Sequence, residues 1–134
     1  MGILDTDALI LLPDLDRAEL PAKVRITSIT LAELSLGPLI APDEAERARR
    51  QVHLQQTEAA YEPLAFDTGA ARAFAGVAAS LRRAERKTEA RAFDALIAAT
   101  AIANRLPLFT CNPDDFRGID GLMLRPVSHP TRSR

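Results

Sequence analysis

The chain has 134 residues and a formal charge of −1, with 17 Lys and Arg set against 18 Asp and Glu. That length suffices for one domain with its own hydrophobic core. Cys111 is the sole cysteine, which excludes a disulfide framework and a thiolate zinc site, and His53 and His129 are too isolated for a histidine-rich metal centre. With no global basic field, any polyanion partner must be held by local arginines and a bound cation. Met1 leads straight into GILD, with no basic leader, cleavage site or apolar run long enough to span a bilayer. The expectation is a soluble, cytoplasmic protein with no membrane association.

Ile3-Leu4 followed by Asp5 reads as a short buried strand ending in an acid. Thr6-Asp7 then leads into ALILL, a short helix that Pro13 closes. Asp commonly accepts a bond from the orphan N–H groups of a helix start. Asp7 is expected to cap this helix, and Asp5 is equally open to capping and to a site role. The polar, proline-flanked PDLDRAELP segment reads as a loop. Residues 24–29 (VRITSI) are rich in β-branched types and predict a second strand. Thr30-Leu31-Ala32-Glu33 fits a capping box, in which Thr30 caps the next helix and Glu33 reaches back to it. Gly37-Pro38 is the stop signal of that helix.

Residues 43–61 carry Glu–Arg pairs at helical spacing and predict a solvated helix, with His53 on its surface or rim. Residues 63–66 (PLAF) are a candidate third strand, after which Asp67-Thr68 caps an alanine-rich helix running to about Arg86. Phe74, Val77, Ala78 and Leu81 form its apolar stripe. Arg82, Arg83, Arg86 and Lys87 at its end suit the helix macrodipole. Contacts to phosphate become the better explanation only if that run lies near the acids.

The organising stretch is Asp94 to Phe116. Residues 95–103 are apolar on every side except Thr100, the signature of an interior helix. Residues 104–107 stop it, Leu108-Phe109-Thr110 reads as a buried strand, and Asn112 with the adjacent acids Asp114 and Asp115 comes at once after it. Residues 122–127 (LMLRPV) predict a last strand, and 128–134 (SHPTRSR) a disordered tail after a single domain spanning 1–127. Strands alternate with helices throughout, which predicts an α/β fold with a mostly parallel sheet flanked by helices on both faces.

In such a sheet, sites lie at the carboxyl ends of strands. Asp5 and the Asp114-Asp115 pair come after strands, and Glu33 and Asp94 sit near helix starts facing the same edge. Gathered carboxylates without cationic partners repel one another. The arrangement makes sense if hard divalent cations sit between them, because Mg²⁺ and Mn²⁺ prefer oxygen ligands. Such a site clamps a phosphodiester, activates water and stabilises in-line displacement. No Gly-rich phosphate loop, Ser-His-Asp set or Cys-His pair competes for the role.

ILDTDALI, TSITLAELSLG, FDALIAATAIAN and LFTCNPDDF, in this order, resemble the PIN-domain ribonucleases, above all the toxin half of bacterial VapBC toxin–antitoxin pairs. The likeness covers the whole chain, although residues 42–87 match only in pattern and length. It implies an α/β/α sandwich, RNA as substrate, Mg²⁺ or Mn²⁺ as cofactor, a homodimer, and a cognate VapB-like antitoxin lying near the acids. On the family's pattern Asp5, Glu33, Asp94 and Asp115 form the acidic quartet, with Asp5 and Asp94 as the principal metal ligands. Glu33 and Asp115 then orient water or hold a second ion. Thr6, Thr110 and Asn112 brace the acids, and Asp114 leaves the fourth ligand ambiguous by one residue. Arg91, Arg82, Arg83 and Arg86 are candidates for flanking phosphates. Asp7 departs from the small neutral residue usual at its position.

Two rivals remain at this level. Asp5-Thr6-Asp7 imitates the D-x-D motif of haloacid-dehalogenase-like phosphatases, but Ala8-Leu9-Ile10 is not that family's continuation and the chain is short for it. A catalytically silent PIN-fold binding module is the other, against which the presence of all four acids argues.

Overall fold

Short apolar runs supply the strands in the computed structural model, which describes residues 1–87 and 91–131. β1 (Gly2–Leu4), β2 (Val24–Arg25), β3 (Leu108–Thr110) and β4 (Leu124–Pro126) form one parallel sheet in the order β2-β1-β3-β4. Ile3 stands opposite both Arg25 and Leu108, and Phe109 opposite Arg125. Successive strand residues point to opposite faces. Ile3 and Leu108 therefore bury on one side and Leu4 on the other.

The first face carries α4 (Thr68–Arg83) and α5 (Ala92–Ala103), through Val77, Leu81, Ile97 and the alanines of α5. The second carries α1 (Thr6–Leu11), α2 (Ser28–Leu36) and α3 (Glu44–Ala60), through Ala8, Leu9, Leu34 and Leu54. The fold is the expected single-domain α/β sandwich. α5 is interior as its composition predicts: Ala95, Ile97, Ala98, Ala99, Thr100 and Ala101 are all buried. Its one hydroxyl is satisfied within the helix, Thr100 Oγ1 donating to Leu96 O at 2.9 Å. Among the described residues, no helix is long and apolar enough to cross a membrane.

Three local expectations are corrected. The strand expected over 24–29 ends at Arg25, because Thr27 turns into the N-cap of α2, its Oγ1 accepting from Thr30 N at 3.2 Å. The helix thus starts three residues before the capping box requires, and Thr30 and Glu33 lie inside it. The strand expected over 63–66 reduces to one parallel bridge between Thr27 and Leu64. Leu64 N donates to Ile26 O (2.9 Å) and Ser28 N to Leu64 O (2.8 Å). Pro63, without an N–H, and Asp67, which caps α4 by accepting from Ala70 N at 2.9 Å, leave no room to extend it.

The PDLDRAELP loop contains two 3₁₀ turns, Leu12–Asp14 and Arg17–Glu19. α4 closes at Arg83, before the expected Arg86. Of the tail segment, Ser128 donates to Glu19 through N (3.1 Å) and Oγ (2.8 Å), while residues 132–134 lie outside the described residues.

Sheet order decides where a crevice can open. From β1 the chain crosses to β2 on one side and later to β3 on the other, so the carboxyl ends of β1 and β3 flank a switch point, where α/β sheets bind their ligands. Just beyond β3 a 3₁₀ turn (Pro113–Phe116) drops Phe116 into the core with 1% of its surface exposed, which fixes the neighbouring Asp115. Phe116→Ala is expected to cost about 3–5 kcal/mol, read as a lowered denaturant midpoint at unchanged m-value.

Candidate active site

Asp5 is the first residue after β1 and is 5% exposed. Its backbone and side chain do different things. Asp5 N donates to Phe109 O at 3.2 Å, continuing the ladder to β3. Oδ1 accepts from Ala8 N at 2.9 Å, capping α1, and Oδ2 accepts from the Thr110 hydroxyl at 2.6 Å. The Thr110 hydroxyl is oriented in turn, accepting from Asn112 N at 2.9 Å. Capping and site placement therefore coincide in Asp5. Asp7, the expected cap, sits exposed in the first turn and accepts from Asn112 Nδ2 at 3.3 Å. Burial pushes the Asp5 carboxyl up to about 6, opposed by its bonds from Thr110 and Ala8 and reinforced by the charges of Asp7 and Asp115.

Glu33 projects from the second turn of α2. Its Oε1 accepts from the Thr6 hydroxyl at 2.6 Å, and Thr6 Oγ1 also lies 3.0 Å from Thr30 Oγ1. The capping-box expectation for Glu33 fails here, since the carboxylate points across to α1 instead of back to its own helix start. Thr30 belongs to this hydroxyl relay, a role hidden in the sequence because Thr30 also satisfies the cap pattern. Burial raises Glu33 above the ordinary carboxylate range, the Thr6 bond lowers it and Asp7 raises it.

Asp94 lies in the first turn of α5. Burial pushes it up to about 7, followed by the charges of Asp115, Asp5 and Glu33, with Arg91 pulling in the opposite direction. Asp94 thus reports electrostatically on every other member of the expected quartet. Asp115, on the turn after β3, is held by Arg91 Nη1 at 2.9 Å from Oδ1. Asp114, its neighbour, faces outward and pairs with Arg117. The two adjacent acids are thus separated by geometry: Asp115 turns toward the cluster and Asp114 away.

The four arginines separate. Arg91 reaches the cluster, and Arg86 is engaged with the chain beyond Asp115, its Nη1 donating to Arg117 O at 2.8 Å. Arg83 is drawn off to Asp120 at 2.7 Å, and Arg82 is exposed on the end of α4. Beside Glu33, a cleft of about 550 Å³ is lined by Thr6, Asp7, Ile10, Arg49, Arg50 and His53, among others.

Every carboxylate ligand atom at this edge is a hard oxygen, and neighbouring acids raise the proton affinity of Asp5 and Asp94, which is the condition a divalent cation relieves. Among the described residues, no group of three or more His, Cys, Asp or Glu side chains is drawn into the geometry of a metal cage. The carboxylates instead lean on Thr110, Thr6 and Arg91. They lie within electrostatic reach of each other. By donor chemistry the site fits a hard divalent ion.

Residues 3–122 match the PIN domain family, and the chain belongs to it. It is 38% identical over 123 residues to Ribonuclease VapC5 of Mycobacterium tuberculosis (strain ATCC 25618 / H37Rv), covering 90% of this chain and 88% of that protein. The crystal structure of VapBC-5, a member of the VapBC family of toxin–antitoxin systems from M. tuberculosis, superposes with a TM-score of 0.80 at 36% identity, over 96% of this chain and 98% of that one. DNA-bound VapBC from Salmonella typhimurium superposes at a TM-score of 0.75 and 25% identity, over 93% and 96% of the two chains.

The raised Asp94 carboxyl has a thermodynamic consequence. Between its ordinary 3.8 and about 7, the folded state holds a proton that the unfolded state releases, so cation-free protein loses stability as pH rises through that window. Asp94→Asn removes the ionisation. With part of the charge screened by solvent, the gain at pH 8 is about 1 kcal/mol, roughly 3–5 °C in Tm. Thermal scans in EDTA are expected to show the gain at pH 8 and its disappearance near pH 4.

Proposed function

We propose that this chain is a metal-dependent endoribonuclease of the VapC type, the cytoplasmic toxin of a toxin–antitoxin pair, with Asp5, Glu33, Asp94 and Asp115 as its working acids. The observation that carries the reading is the coupling of Asp94 to the other three acids at the carboxyl ends of β1 and β3. Family membership and the identity to Ribonuclease VapC5 support it.

Asp5 and Asp94 would hold the principal Mg²⁺ or Mn²⁺, with Glu33 and Asp115 beside them. A divalent ion bound there supplies charge neutralisation of the phosphodiester and a lowered pKa for water. The chain's own groups supply the rest. Thr110 and the α1 N-terminus keep Asp5 fixed and oriented, as outer-shell partners do for ligands. Glu33, braced by Thr6, and Asp115 are the candidates for taking a proton from the attacking water. Attack in line with the departing 3′ oxygen leaves a 5′-phosphate and a 3′-hydroxyl. Arg91, bonded to Asp115, is the first candidate for a flanking phosphate, with Arg86, Arg82 and Arg83 as further candidates.

The partner we infer is a VapB-like antitoxin, since the similar solved structures are VapBC complexes, and the chain itself is expected to form a homodimer. The cleft beside Glu33, with Leu36, Leu39 and Ile40 exposed nearby, offers apolar surface within reach of the acids.

Purified chain free of antitoxin, incubated with structured RNA and Mg²⁺ or Mn²⁺, is expected to leave 5′-phosphate ends, with EDTA abolishing cleavage. Asp94→Asn, folded by circular dichroism, is expected to lose at least about a hundredfold in rate. Cleavage undiminished in Asp94→Asn would remove these acids from the chemistry, and a correctly folded wild type inert toward every RNA would favour the silent binding module.

A further inference from the structure

Three of the four acids are held by neutral donors or by none. Asp5 takes a hydroxyl and a backbone N–H, Glu33 takes a hydroxyl, and no ion pair reaches either one or Asp94 among the described residues. Asp115 differs. Its Oδ1 is taken by the Arg91 guanidinium at 2.9 Å, in a contact that leaves the two side chains 42% and 31% exposed, respectively. Arg91 immediately precedes α5, so the cation enters from the same helix start that presents Asp94. The turn carrying Asp115 is anchored by buried Phe116 on one side and by Asp115 N donating to Asn112 O at 3.0 Å on the other. The backbone of Asp115 is therefore fixed, and the guanidinium is not needed to keep the turn in place.

We infer that Arg91 is an internal counter-ion of the acidic cluster, occupying Asp115 until a divalent cation displaces it. The inference rests on the reading of the cluster as a cation site. A guanidinium and a divalent ion cannot both take full benefit from one partly exposed carboxylate, so the resident charge weakens cation binding. In exchange it keeps four like charges tolerable in the cation-free protein. A site set in this way loads only when the cation brings more charge than the arginine withdraws. Released from Asp115, Arg91 lies beside the acids with its donors free for a phosphate of the RNA strand.

Removing Arg91 deletes one positive charge several ångströms from the ion. At high dielectric that corresponds to roughly a tenfold change in affinity, falling to about threefold with salt screening. Direct titration of Mn²⁺ into cation-free protein, by calorimetry and by the electron-spin signal of free Mn²⁺, reads this without any turnover. Arg91→Ala is expected to bind Mn²⁺ roughly three- to tenfold more tightly than wild type, while Arg91→Lys, which keeps the charge, stays near wild type. In an Asp115→Asn background the gain from Arg91→Ala should fall below about half, because the contested carboxylate is gone. Binding to wild type with unchanged or weaker affinity in Arg91→Ala overturns the inference alone, as does a gain that persists in full without Asp115. Absence of saturable Mn²⁺ binding to wild type overturns the cation site itself and the inference with it.

Discussion

The arrangement turns on the buried carboxylate of Asp5, clamped between the N-terminus of α1 and the last residue of β3. An ionised group so enclosed is costly unless each oxygen finds a donor. Here one oxygen finds the backbone of Ala8 and the other the hydroxyl of Thr110. These bonds tie together the two central strands and the first helix at the edge where the other acids collect. Removing either donor would strand a buried charge and leave the helix start or the strand end unpinned. Fold and site share one anchor.

Around that anchor the chain accepts a standing electrostatic cost. Asp94 is raised by burial and by three other carboxylates, and Glu33 and Asp5 each feel Asp7. A sequence selected for stability alone would place lysines or arginines among such groups, and these were available: Arg82 and Arg83 end α4, Arg86 follows it, and Arg117 follows the turn after β3. They are directed instead to Asp120, Asp114 and a backbone carbonyl, or left in solvent. Repulsion that a single arginine, Arg91, only partly relieves at a strand-end crevice is the physical form of a site kept ready for a positive ligand.

Much of this was legible in the chain. The parallel α/β plan came from strands alternating with helices, and α5 declared itself by having no polar face. Asp5 and the Asp114-Asp115 pair could be picked out because they follow strands, where the architecture puts crevices, and only the resemblance to the family's pattern singled out Asp115. The misreadings share one cause: local patterns that fit two structures equally. Thr30 and Glu33 have capping-box spacing, but Thr27, three residues earlier, caps instead, and only the fold shows Thr6 arriving from α1 to take the Glu33 carboxylate. Asp7 matched the cap of α1 because it directly precedes the apolar run. The actual cap, Asp5, lies two residues earlier, where the sequence reads equally well as the end of a strand. The 63–66 strand failed for a tertiary reason, since the segment after β2 offers a single bridge, at Thr27, before it turns into α2. Long-range partners decide these cases, and no window of sequence contains them.

The choice of bracing groups also has a logic of its own. Thr6, Thr30 and Thr110 supply hydroxyls to the carboxylates or to each other, and Ala8 holds one acid with a backbone amide. Neutral donors orient an acid without cancelling its charge, so the negative potential at the crevice survives the bonding that fixes its sources. An arginine in any of those positions would orient equally well and quench the field it was meant to shape. Among the described residues, Asp115 is the one of the four acids that carries a cation, and it is partly exposed and set on a turn instead of a helix or a strand end packed into the core. The direct pairing thus falls on the carboxylate at the rim, where solvent already weakens it, and Arg91 acts on Asp94 only through its field.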